Sequence, residues 1–139
     1  MKEHMVYKRL GSIDLPYLKA LIRVYEEVFE MENLSLPPES YLQSLLQREG
    51  LMFFVATLDG HLVGGLTAHV LPSVYFESAE VYIYDLGVKT SYQRKGIGRK
   101  LLATIKRVLQ RARLQGDFCT GGSGRPACFG FLSGYRWAG

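Results

Sequence analysis

Two cysteines, Cys119 and Cys128, are too few and too widely set for a disulfide framework or a zinc site, and they read as free thiols. No apolar run approaches the length of about 20 residues that a membrane-spanning helix needs. The opening stretch, residues 1–8, has no apolar core of a signal peptide, so the expected location is the cytoplasm. Three histidines, His4, His61 and His69, show no metal-ligand spacing and no Ser/His/Asp ordering. His61 follows a turn signal and is expected to be exposed, and His69 is expected to be a satisfied, half-buried strand residue. Acid is scarce in the second part of the chain: residues 86–139 hold 11 Lys/Arg and a single Asp117. Aromatic residues do not interleave with the basic ones over 89–113, which argues against a nucleic-acid surface.

What is present fits one soluble domain. The chain has 139 residues, 47% apolar and 22% charged, enough for one core and too short for two. Residues 1–85 carry 12 Asp/Glu against 6 Lys/Arg, so an acidic part precedes a basic one. A short first strand is predicted over 7–10. Asp14 can cap a helix that has Pro16 in its first turn and Leu18, Leu21, Ile22, Tyr25 and Phe29 at helical spacing. Glu26, Glu27, Glu30 and Glu32 crowd the end of that helix, where the macrodipole disfavours anions. A second short helix is predicted over 39–47, after Pro37-Pro38.

The period then changes. An apolar run over 52–58, the turn signal Asp59-Gly60 and a strand over 62–71 read as a hairpin. Residues 80–88, Glu-Val-Tyr-Ile-Tyr-Asp-Leu-Gly-Val, form the strongest strand signal, and Gly87 inside it implies a bulge or a close backbone approach. A helix over 98–115 follows, its stripe made of Leu101, Leu102, Ile105, Val108 and Leu109. The pattern is an α+β domain with a mostly antiparallel sheet.

Between that strand and that helix lies Gln93-Arg94-Lys95-Gly96-Ile97-Gly98. Glycine lets the backbone approach a ligand closely, and amides at a helix start form a concave anion site. Arg94, Lys95, Arg99 and Lys100 surround those amides with positive charge, and Lys106 or Arg107 can attract a further phosphate. A Gly-x-Gly pair alone is weak evidence; strand, bulge, basic glycine loop and amphipathic helix in succession are far more specific.

This segment resembles the motif A region of GNAT acetyltransferases, Gln/Arg-x-x-Gly-x-Gly/Ala. The resemblance implies the GNAT fold, a mixed sheet flanked by helices, with acetyl-CoA as co-substrate and no metal. It assigns the diphosphate to Gln93, Arg94, Lys95, Gly96, Ile97, Gly98 and Arg99. It assigns the pantetheine arm to the backbone of Leu86, Gly87 and Val88, where the strand opens. Residues 80–88, with His69-Val70-Leu71-Pro72 and Glu39-Ser40-Tyr41-Leu42, are also similar to GNAT-type aminoglycoside 3-N-acetyltransferases over roughly residues 6–115. That narrower likeness implies a small polycationic amine as acceptor, drug resistance as outcome, and a homodimer, with no nucleic acid or membrane as partner.

An ammonium group has no lone pair, so a base must take its proton before it attacks a thioester. Asp85, at the end of the strand, is the candidate; burial there would raise a carboxyl's pKa and a cationic substrate would lower it again. The alternative role is a carboxylate that satisfies the bulge. A backbone amide freed there, of Leu86 or Gly87, would stabilise the oxyanion. Tyr84 alternates to the opposite face and reads mainly as packing, with a second role in shaping the acceptor site. A polycation calls for carboxylates, and by the resemblance Glu30, then Glu39 and Glu77, with Glu80, line the acceptor cleft; Glu27 is also available, and each also reads as a plain surface residue.

The last 24 residues depart from the family. They hold seven of the fifteen glycines, offer no good strand after Gly116 and lack the expected helix start. Codons for residues 122–131 can be chosen so that reading one nucleotide later gives Ala-Pro-Gly-Asp-Arg-Pro-Ala-Leu-Asp-Phe, similar to the family's helix start; the competing account is a shortened variant in which Ala127, Phe131 and Tyr135 improvise the last element. Residues 1–139 are therefore read as one acetyltransferase domain with an atypical, incomplete tail over 116–139. The leaving-group acid is left open, Tyr135 being a weak candidate. Two other readings stand beside the leading one: an acetyltransferase for another amine, such as a polyamine or a protein amino group, and an idle CoA-binding domain.

Overall fold

A computed structural model describes residues 4–72, 74–75, 79–111 and 136–138. In chain order these form β1 (Met5–Arg9), α1 (Leu15–Val28), α2 (Glu39–Leu46), β2 (Leu51–Leu58), β3 (His61–Pro72), β4 (Ala79–Val88), α3 (Ile97–Arg111) and β5 (Arg136–Ala138). A single sheet runs in the order β1-β2-β3-β4-β5, antiparallel up to β4, with β5 parallel to β4. The alternation of helices with a meander gives the expected α+β class.

Asp14 stands at the N-cap of α1, but its side chain does not bond a helix amide. Its Oδ2 accepts the Gly11 N–H at 2.7 Å and its Oδ1 lies 3.4 Å from Lys8 Nζ, so it closes the turn ahead of the helix. The β2–β3 hairpin turns at Asp59 (φ 49°) and Gly60 (φ 86°), the doubly left-handed geometry of a two-residue turn that matches strand twist.

Helices cover both faces of the sheet, which is why β2 is an unbroken apolar run instead of an alternating one. Met52, Phe54 and Ala56 face α3 with Val63, Leu66, Ile83, Leu101, Ile105 and Leu109. Phe53 and Val55 face the other way, against Leu18, Leu21, Val24, Tyr25 and Leu42 of α1 and α2.

The inward positions of β4 change parity midway. Val81 and Ile83 lie in the α3 core, and so do Leu86 and Val88, an even step followed by an odd one. The ladder shows the cause: Thr67 pairs with Asp85 and Ala68 with Ile83, leaving Tyr84 as one extra residue. The bulge therefore lies at Tyr84. Gly87 pairs regularly with Gly65, so its alternative expectation holds: it is a close approach, where a Cβ would sit 3.2 Å from Tyr25 Cδ1.

Candidate active site

The parity change decides what faces α1 and α2. Strict alternation would send Tyr84 and Asp85 to opposite sides. With the bulge, both line one cavity of about 450 Å³, so Tyr84 is not on the far face as expected. The cavity lies between α1, α2, the segment joining them and the inner face of β3 and β4. Asp85 is half-buried, and Tyr84 is 39% exposed at the rim.

Behind Asp85 sits a pair that sequence reading assigned to no role. The Tyr25 and Thr67 hydroxyls share a 2.9 Å hydrogen bond, and Thr67 is the strand partner of Asp85. Burial, then the nearby Asp85 charge, hold the Tyr25 phenol well above its usual range, against the opposing pull of the Thr67 bond. Tyr25 is thus a neutral hydroxyl at any ordinary pH. His69 also lines the cavity, half-buried as expected, with its ring edge-on to Tyr84 at 5.7 Å. Burial lowers its pKa from 6.5, so it is a neutral imidazole at pH 7. Period-2 alternation from Leu66 and Ala68, which face α3, already puts Thr67 and His69 on the cavity side.

At the C-terminal end of β4 a 3₁₀ turn over Thr90–Tyr92 leads into the glycine loop. Arg94 (φ 63°) and Gly96 (φ 82°) both take left-handed backbone, and α3 begins at Ile97. Among the described residues, no carbonyl accepts an amide hydrogen from residues 94–99; the first amide so bonded is Lys100, to Gly96 at 3.0 Å. Six main-chain donors and the exposed cations Arg94, Lys95, Arg99 and Lys100 thus meet at one helix start, an arrangement suited to a diphosphate. Gln93 fastens the loop, its Nε2 donating to the Val88 carbonyl at 2.9 Å. Gly98 and Ile97 are buried beneath it.

Other assigned residues fall elsewhere. Leu86, Gly87 and Val88 are buried, with Leu86 and Val88 in the α3 core. The tail does contain a strand: β5 pairs with Asp85, Leu86 and Gly87, and so runs along the stretch of β4 that was expected to open beside Leu86. Tyr135 and the rest of 112–135 lie outside the described residues, as does Glu77. Glu30 is exposed just past α1, and Glu39 is exposed at the start of α2, paired with Lys19; neither lines the cavity. Glu80 is half-buried farther back on β4, opposite Leu71, and is also absent from the wall. Glu26 has a structural task, accepting Arg23 Nη1 at 2.9 Å and the Leu34 N–H at 3.1 Å to fold the segment after α1.

A sheet with this bulge, followed by an amide-rich basic loop and a helix, defines an acetyltransferase. Residues 18–127 match the family described as the Acetyltransferase (GNAT) family, and the chain belongs to it; it is an acetyl-CoA-dependent N-acetyltransferase. Among solved structures it is similar to an aminoglycoside acetyltransferase from an uncultured soil metagenomic sample in complex with sisomicin. The identity there is 40%, over 86% of this chain and 78% of that one, with a TM-score of 0.80. A second aminoglycoside acetyltransferase from uncultured soil is 26% identical over 87% of this chain and 82% of that one, TM-score 0.79. The fold is shared with an aminoglycoside N-acetyltransferase of the AAC(6')-Iy type solved with CoA, 18% identical over 84% of this chain and 76% of that one, TM-score 0.64. No curated protein matches the chain.

Proposed function

We propose that this enzyme transfers the acetyl group of acetyl-CoA to an amine of an aminoglycoside, the 3-amino group by sequence resemblance, and so confers resistance. The observation that carries the reading is Asp85: the bulge turns its carboxylate into an open cavity, on the strand that leads to the anion-binding loop. The sisomicin complex of the 40% identical relative supports the choice of acceptor.

The amides of residues 94–99 and the cations around them hold the diphosphate. Asp85 accepts a proton from the substrate ammonium, whose freed lone pair attacks the thioester carbonyl. The C–N bond forms, the C–S bond breaks, the acylated nitrogen gives up its second proton, and the departing thiolate takes up one, so that one proton in net remains with Asp85 or passes to water. Tyr25 and Thr67, bonded to each other behind Asp85, form a neutral polar wall there.

Calorimetric titration with acetyl-CoA and then gentamicin, with thiol release and NMR of the product, tests this. Asp85→Asn keeps the melting temperature and acetyl-CoA affinity of the parent while kcat/KM for gentamicin falls at least about 100-fold, the usual worth of a positioned base. Undiminished turnover in that variant removes Asp85 from the role. Acetylation at another amine corrects the regiochemistry alone.

A further inference from the structure

Among the described residues, the lining of the cavity in front of Asp85 offers a cation one carboxylate. An acceptor with several ammonium groups calls for several carboxylates, yet Asp85 is the single acid among the described lining residues. Glu30, Glu39 and Glu80 stand outside it, and Arg48 adds a positive charge to its wall. His69, kept neutral by burial, adds none at pH 7. Apart from the Tyr25–Thr67 hydroxyl pair, the remaining described lining is apolar or aromatic: it includes Ile22, Met31, Leu34 and Leu45, with Tyr41 and Tyr84 exposed toward solvent. A chamber of about 450 Å³ falls within the range that holds a small organic ligand, roughly 300–1,000 Å³.

One carboxylate beside an apolar chamber is complementary to one ammonium on a compact apolar body. We infer that the enzyme also acetylates primary monoamines that carry an aryl or branched alkyl group, with the ammonium at Asp85 and the apolar group against Ile22, Met31 and Leu45. The inference rests on the acetyl-transfer reading above and extends it to an acceptor class with one charge. Polycationic acceptors then place one amine at Asp85 and leave the rest of the molecule outside the chamber. Each methylene buried there is worth about four-fold in binding. Tyr41 and Tyr84 can each offer a ring face to a passing cation.

Thiol release is measured with the full chain at saturating acetyl-CoA, using phenethylamine, 3-methylbutylamine, ethylamine and sisomicin. The expected result is a kcat/KM for phenethylamine at least about 10-fold above that for ethylamine, with phenethylamine competing against sisomicin. Leu45→Gln lowers the phenethylamine-to-ethylamine ratio several-fold, and Leu45→Met restores it, which a general folding defect would not do. Sisomicin turnover with phenethylamine no better than ethylamine overturns the inference and leaves the enzyme reading intact. Failure of every amine to react sinks the acetyl-transfer reading instead. Calorimetry with phenethylamine then decides the chamber: binding that is weakened in Asp85→Asn upholds the inference, and no binding ends it.

Discussion

Single residues in this protein act mostly through the space they leave or fill. Gly87 is the clearest case. A methyl group there would sit 3.2 Å from Tyr25 Cδ1 and 3.5 Å from Cε1. That ring cannot readily withdraw: its hydroxyl is tied to Thr67 and its face is stacked on Phe29 at 5.6 Å. Gly87→Ala should therefore destabilise by about 1–3 kcal/mol, as overpacking of a filled site does. Urea unfolding measures it, and an unchanged midpoint would mean that α1 shifts freely. The identity of Gly87 as a special position was legible in the sequence, because glycine is out of place in a strand of aromatic and β-branched residues. Which of two reasons applied was not legible, since both a bulge and a close approach select glycine.

Among the elements, the strands and helices were readable because their periodicities differ, and most of their observed limits fall within a residue or two of those expected. What could not be read was the phase of β4. Alternation along Val81, Ile83, Leu86 and Val88 already contains the slip, but four apolar residues at uneven spacing also occur in regular strands buried on both faces. The mistaken face for Tyr84 came from counting by two through an extra residue. Charge complementarity says that carboxylates suit a cation, not which of them the chain folds inward: of the described candidates, Glu30, Glu39 and Glu80 stand outside the cavity wall, and Glu39 is paired with Lys19. The loop between β4 and α3 was legible in its place, because the strand and helix periodicities end on either side of Gly96. It also invites a test at its own scale. Gly96 has φ 82°, and a methyl group added to it would find no atom within 4 Å, so Gly96→Ala meets strain without a clash. The left-handed backbone costs an alanine about 1 kcal/mol, which should weaken acetyl-CoA about five-fold in calorimetry while acceptor specificity is unchanged.

For the whole molecule, the half-buried histidine couples folding to pH. In the unfolded chain His69 titrates near 6.5, and burial lowers that value in the native state. Between the two values the unfolded chain binds more protons, so stability rises with pH there. The His69 contribution is fully present above about 6.5 and is lost as pH falls through the lower native value. In His69→Gln the melting temperature should fall less between pH 7 and pH 5.5 than in the parent; parallel curves would mean that His69 is hydrated in the native state.

The supernumerary residue in β4 also changes what kinds of mutation this gene can survive. Substitutions at Tyr84 alter one side chain at the rim of a cavity. Loss of its codon would straighten the ladder and rotate every residue on one side of it by half a turn, either driving the Asp85 carboxylate into the hydrocarbon beneath α3 or exposing Val81 and Ile83. A lineage carrying this enzyme is thus free to exchange that tyrosine and almost barred from deleting it, so length, more than identity, is what inheritance must preserve at this point of the chain.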